Sequence, residues 1–161
     1  TILPYKENYT ISKAQAAAIW VCDFFKYSKY KDNNFIFGNT KGIDYLTKNY
    51  ININISNLRS KLSSSTSEYC KNFIKKTKND NFDIIEIHNR PLVFNYLKKN
   101  IDAKFIIYFH NDPLSMNGSR SVNERIKLLN EVGKIIFVIP LKFVFVTLSD
   151  FIFLKEIEIA F

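Results

Sequence analysis

Phe82-Asp83-Ile84-Ile85-Glu86-Ile87-His88-Asn89-Arg90-Pro91 is the stretch that decides the fold. A run this rich in isoleucine, too short for a buried helix and closed by proline, reads as a strand covered on both faces. Ala103-Lys104-Phe105-Ile106-Ile107-Tyr108-Phe109-His110-Asn111-Asp112-Pro113 repeats the arrangement further along. Each strand ends in a histidine followed by polar residues and proline. In an open parallel sheet, ligands collect outside the carboxyl ends of the strands, where loop amides and helix N-termini converge. Two neighbouring strand ends that each deliver a histidine therefore predict a binding crevice.

Outward from these strands, the chain alternates. Thr1 to Pro4 reads as the end of a short strand, and Tyr5 to Ile11 as a polar loop. Ser12-Lys13-Ala14-Gln15 matches a capping box, in which the serine hydroxyl takes the third amide and the glutamine reaches back. The helix it opens runs to about Lys29, with Ala17, Ile19, Trp20, Val21, Phe24 and Phe25 as a broad apolar face. Asn34 to Gly38 reads as strand. Tyr50 to Ile55 alternates, as in a strand exposed on one side near a sheet edge. Ser63 to Lys78 reads as a helix opened by a serine run, with Tyr69, Phe73 and Ile74 inward. Then come strand Ile84 to Ile87, helix Leu92 to Lys99, strand Phe105 to Phe109, helix Val122 to Val132 and strand Lys134 to Val138. This order predicts an α/β fold: a Rossmann-like doubly wound parallel sheet with helices on both faces.

Residues 1–138 are expected to form that domain, and 139–161 break its pattern. Ile135 to Phe153 is apolar, but Pro140, Lys142 and Asp150 interrupt it, and charges at mid-bilayer are costly. A strand pair is the preferred reading there over a membrane span.

With 161 residues, 47% hydrophobic and 24% charged, the chain can bury a real core and is not of disordered type. The net charge of +8 and pI near 9.4 suit nucleic acid or an anionic membrane surface. Yet Lys75, Lys76, Lys78, Lys98 and Lys99 fall at helix ends, where cations complement the dipole. No RNP-like, zinc-finger or basic-zipper pattern is present, so nucleic acid is not an expected partner. Peripheral contact with a membrane surface is among the expected partners. The excess of Asn, Lys, Ile, Phe and Tyr over Ala, Gly and Arg also has the look of AT-rich coding. Cys22 and Cys70 stand apart, without the close pairing of a metal or redox motif, and with no leader segment the expected location is cytoplasmic, including the inner face of the membrane.

The two histidine-ended strands, together with Glu124-Arg125, Lys134 to Val138 and the opening Leu3-Pro4 through Ala18, resemble the N-terminal, acceptor-binding half of a family-4 glycosyltransferase of the GT-B architecture. The resemblance covers roughly residues 1 to 138. It implies transfer of a hexose, with retention, from a nucleotide sugar to a surface glycan or a lipid-linked acceptor. The nucleotide sugar would be a substrate, and no cofactor is implied. His110 would offer a hydrogen bond to a hydroxyl of the transferred sugar, as the catalytic-site residue. His88, Asn89, Arg90, Asn111 and Asp112 would contact the acceptor. Ser12, Lys13, Ala14 and Gln15 would face the donor phosphates at a helix N-terminus, where free amides favour anions. The chain departs from the family in three places. It lacks the glycine pair expected near Lys13 and Ala14. Ile139-Pro140-Leu141-Lys142 does not follow the family's continuation, and no donor domain with paired glutamates comes after it. A shifted or truncated reading frame at residue 139 would explain this, and transfer by these residues alone is not expected.

Simpler readings exist for each residue. A strand-end histidine can cap a neighbouring carbonyl. Asp112-Pro113 can start a turn, and Arg90 can be a solvated helix-start residue rather than an anion fork. His88, His110 and Asp112 offer metal donors, but such trios also occur without one, and no metal is expected. Glu86 must face solvent or find a partner. Asn117 to Ser121 reads as a loop over the acceptor or as an ordinary turn before a helix. The competing functions are a non-catalytic Rossmann-like module that binds a sugar, a nucleotide or a protein, and a membrane-associated protein held by the apolar tail.

Overall fold

The computed structural model describes residues 1–56, 64–138 and 157–159. They fall into two units, Thr1–Asp80 and Asn81–Phe161. Every strand pairing between named strands in either unit is parallel, and strands alternate with helices, so the architecture is α/β and Rossmann-like.

In the first unit, β1 (Ile36–Gly38) pairs with β2 (Tyr50–Asn52), and Ile2 bridges in parallel to Phe37 on the other side. Thr1 to Pro4 thus carries the strand end expected of it. Side chains of successive strand residues point to opposite faces, and β1 uses both. Ile36 joins Leu3, Tyr9 and Tyr50 in a core with Ala18, Val21 and Phe25 of α1 (Ala16–Tyr27). Phe37 meets Phe73 of α2 (Ser65–Lys76) edge-on, ring centroids 4.9 Å apart. Helices therefore cover both faces of this sheet. β1 ends on Gly38, where an added Cβ would sit 2.6 Å from the Tyr50 hydroxyl, so the close approach of that side chain calls for glycine. β2 is shorter than the alternation of Tyr50 to Ile55 suggested. Past Asn52 one further backbone bond reaches β1, from Ile53 N–H to Gly38 O at 2.6 Å, and the side chains of Asn52 and Asn72 then hydrogen-bond to Asn54.

α1 corrects two expectations. It buries Ala17, Ala18, Val21 and Phe25, whereas Ile19 and Phe24 are each 49% exposed, so the inward face is narrower than the sequence suggested. Nor is there a capping box at its start. Gln15 is the N-cap residue and makes no side-chain cap, while the Ser12 hydroxyl donates to the Asp44 carboxylate at 3.3 Å. The third helical amide, Ala18 N–H, donates to Glu7 Oε1 at 3.1 Å, so a residue remote in sequence caps the helix. α2, by contrast, is opened by Ser64, whose hydroxyl oxygen accepts from the Ser67 amide, and ends with Lys75 and Lys76 in its last turn.

In the second unit the sheet runs in chain order: β3 (Ile84–His88), β4 (Lys104–Phe109), β5 (Lys134–Phe137) and β6 (Ile157–Ile159). α3 (Pro91–Leu97) starts on proline, whose missing N–H costs nothing at that position. It lays Phe94 edge-on to Phe105 of β4 at 5.4 Å. α4 (Val122–Glu131) opens with a true capping box, Ser121 with Glu124, and buries Leu128 and Leu129. β6 continues the sheet in parallel beside β5. The strand pair expected within 139–161 otherwise lies outside the described residues. Among the described residues, no helix is long and apolar enough to cross a membrane.

Candidate functional site

The register of β3 on β4 sets His88 opposite Tyr108, and His110 follows one residue beyond the end of β4. Parallel pairing thus brings both histidines to one end of the sheet. His88 Nδ1 and His110 Nε2 are 2.7 Å apart, a hydrogen bond in which one ring donates and the other accepts. The His88 ring stacks on Tyr108 at 4.7 Å with planes 3° apart, and it meets His110 edge to edge through that hydrogen bond, ring centroids 5.0 Å apart.

Asn89 sets the position of His110. Its backbone has φ of 54°, in the left-handed region that asparagine tolerates better than most residues. Its N–H continues the ladder to Tyr108 O at 2.8 Å. The turn aims the side chain across the strand gap, where Oδ1 accepts from the His110 amide at 2.7 Å. His110 is therefore fixed through both its backbone and its ring, while remaining partly exposed.

Burial holds both imidazoles neutral. His88, 1% exposed, titrates well below the ordinary histidine range because burial disfavours the cation and His110 beside it adds repulsion. Burial pushes His110 down to about 4. A neutral imidazole of such low basicity is a poor general base at neutral pH and lacks the charge to clamp a phosphate. It suits a neutral hydroxyl, which needs only an oriented donor or acceptor.

The remaining expected site residues divide. His88 and Asn89 are buried, and each hydrogen-bonds to His110. Arg90 takes the N-cap position of α3, and its guanidinium donates to Asn89 O at 2.9 Å, which is the helix-start reading. Asn111 and Asp112 are exposed beside His110, and the Asp112 carboxylate accepts from the Leu114 amide, starting the turn that Asp112-Pro113 suggested. Glu86 has its partner on the next strand, accepting from the Tyr108 hydroxyl at 3.3 Å. The segment Asn117 to Ser121 is a hydrogen-bonded turn before α4. Ser119 is buried and donates to Pro113 O at 2.6 Å.

In the first unit, Ser12, Lys13, Ala14 and Gln15 do precede the N-terminus of α1, as expected of a phosphate loop. The carboxylate of Glu7 occupies that pole, however, placing an acid where phosphates would have to bind. Sequence reading missed Glu7, because only the folded loop carries it to the helix end. Cys22 and Cys70 are free thiols, and burial pushes Cys70 up to about 12, which makes it inert. Among the described residues, no group of three or more His, Cys, Asp or Glu side chains is placed to hold a metal ion.

Comparisons with protein-family models, with curated proteins and with solved structures find no match to the chain.

Proposed function

We propose that this chain is the acceptor-binding half of a glycosyltransferase of the GT-B kind, in which His110 hydrogen-bonds a sugar hydroxyl. The observation that carries the reading is the mounting of His110. A neutral imidazole stands at the carboxyl end of a parallel sheet, its amide held by Asn89 and its ring by His88. Such rigid placement of a weakly basic group favours orienting an uncharged substrate over proton transfer. Asn111 and Asp112, exposed next to it, supply further polar contacts for a carbohydrate. The nucleotide sugar would be held by a donor domain outside these residues.

His88 and His110 are the only histidines in the chain, so their ring resonances report the site without ambiguity. Titrating glucose, galactose, mannose and N-acetylglucosamine into labelled protein is expected to move the His110 signals with at least one sugar. The response should vanish in His110→Ala. Unmoved imidazoles across the panel, or sugar binding indifferent to that substitution, would refute the reading.

One observation favours a second reading, a sugar-binding module that transfers nothing: the Glu7 carboxylate at the α1 N-terminus opposes donor phosphates. Fusing the donor domain of a family-4 glycosyltransferase after Val138 separates the two. Sugar transfer supports an enzyme half, whereas sugar binding without transfer supports the module.

A further inference from the structure

We propose that α1 is a self-association surface, through which two copies of this chain pair antiparallel about a two-fold axis near Phe24. The inference does not depend on the carbohydrate reading.

α1 has already committed Ala17, Ala18, Val21 and Phe25 to the core. A helix with that duty alone would be polar on its other side. Instead Ile19 and Phe24 are each 49% exposed and Tyr27 80%, with Tyr30 just past the helix at 59%. The partly exposed Trp20 extends the patch by stacking on Phe24 at 5.3 Å. Tryptophan and tyrosine anchor protein interfaces because each covers a large area for little lost rotamer freedom. At about 150–250 Å² for a whole aromatic side chain, the open parts of these five residues come to about 500 Å² per copy. A pair therefore buries about 1,000 Å², enough for a reversible dimer though below the size of an obligate one.

The charges within the stripe identify the occupant. Asp23 is exposed three residues after Trp20 and four before Tyr27, so it lies inside the apolar stripe, and among the described residues it makes no ion pair. Lys26, one turn further on, is exposed with Nζ 5.5 Å from the centre of the Tyr27 ring. In an isologous pair every contact occurs twice, once in each direction. Antiparallel helices crossing near Phe24 set the two Phe24 rings together, Trp20 of each copy against Tyr27 of the other, and Asp23 of each beside Lys26 of the other. The stripe is thus complementary to itself in both shape and charge. An anionic lipid surface would instead repel the carboxylate at the middle of the contact. Thr1–Asp80 contains 13 Lys and Arg against 6 Asp and Glu, so two such units repel at long range. At about 0.15 M salt the screening length is about 8 Å, which removes most of that repulsion while the contacting charges still attract.

Sedimentation equilibrium of the full chain from about 1 to about 200 μM, in about 0.15 M salt, is expected to show monomer and dimer exchanging with a Kd of about 10–100 μM. Trp20 is the chain's only tryptophan, and its emission should shift to the blue as the dimer forms. Asp23→Lys and Lys26→Asp each set like charges across the axis and should weaken the dimer by about tenfold or more, with the circular dichroism unchanged. Mixed in equal amounts, the two variants should associate as tightly as the parent, because the first offers two lysines to the two aspartates of the second. A folding fault in either variant is not repaired by mixing. The proposal is overturned if the chain stays monomeric over the whole range, if either reversal leaves the Kd unchanged, or if the mixture associates no better than its components. A chain that sediments with phosphatidylglycerol vesicles as a monomer overturns it as well.

Discussion

Acidification should loosen the protein over a range set by the histidine pair. Both rings have folded-state pKa values below that of an unfolded histidine, so unfolding takes up protons when the pH lies between the two. At and above neutrality both states are uncharged, and the contribution to stability is present in full. As the pH falls through the unfolded value the unfolded chain protonates first, and stability drops until the folded rings protonate as well. For His110 the shift from 6.5 to about 4 corresponds to about 3 kcal/mol, trimmed to about 2–3 kcal/mol because the ring is partly exposed. His88 adds to the loss in the same direction. Glu124 overlaps only the acid end of this range. Its carboxyl is lowered by hydrogen bonds from Ser121, so its contribution is whole above the ordinary carboxylate value and is lost as the pH falls from there through the lowered one. Urea denaturation followed by far-ultraviolet circular dichroism, stepped between about pH 7 and about pH 4.5, measures the slope. Imidazole nitrogen resonances measure the titrations themselves. His110→Gln keeps a hydrogen-bonding side chain and should flatten the slope. An imidazole titrating near 6.5 in the folded chain, or an unchanged slope in His110→Gln, would refute the account of the site.

Other substitutions test individual contacts. Glu7→Ala should destabilise the protein by about 1 kcal/mol through loss of the α1 cap, whereas Ser12→Ala should change stability by less than about 0.5 kcal/mol in thermal melts, the reverse of what the local sequence pattern implies. Asn89→Ala should cost about 2 kcal/mol in urea, combining left-handed backbone strain with the lost bond to the His110 amide. Asn89→Gly, free of the strain, should lose about half of that. At Gly133 a Cβ would sit 2.9 Å from the carbonyl oxygen of Phe105, so Gly133→Ala should cost about 1–3 kcal/mol by prising β5 from β4, read as a lower thermal midpoint.

Much of the fold was legible because its signals are local. The isoleucine runs, the proline after each histidine and the spacing of helix and strand predicted β3, α3, β4, α4 and β5 to within a residue or two. What misled was any feature that needed a partner from elsewhere. Ser12 and Gln15 have the spacing of a capping box, but the fold brings Glu7 to the helix first and turns Ser12 to Asp44. Ile19 and Phe24 carry the hydrophobicity of core residues, yet the helix rotation that seats Val21 and Phe25 leaves them outside. Glu86 looked unaccounted for in its strand until Tyr108 reached it from the next one.

The candidate site divides in the same way. That histidines end two buried strands follows from residue order and side-chain shape, since β-branched runs and proline act on their own backbone, and the helix between the strands predicted the parallel pairing that the fold carries out. Which histidine meets solvent and which one supports it depended on register. The parallel pairing of His88 with Tyr108 buries one imidazole against the tyrosine ring and leaves the second at the rim, hydrogen-bonded to the first and held by an asparagine in a left-handed turn. Burial then decides the charge of both rings, because the cost of a cation depends on the surroundings that only the packed chain supplies.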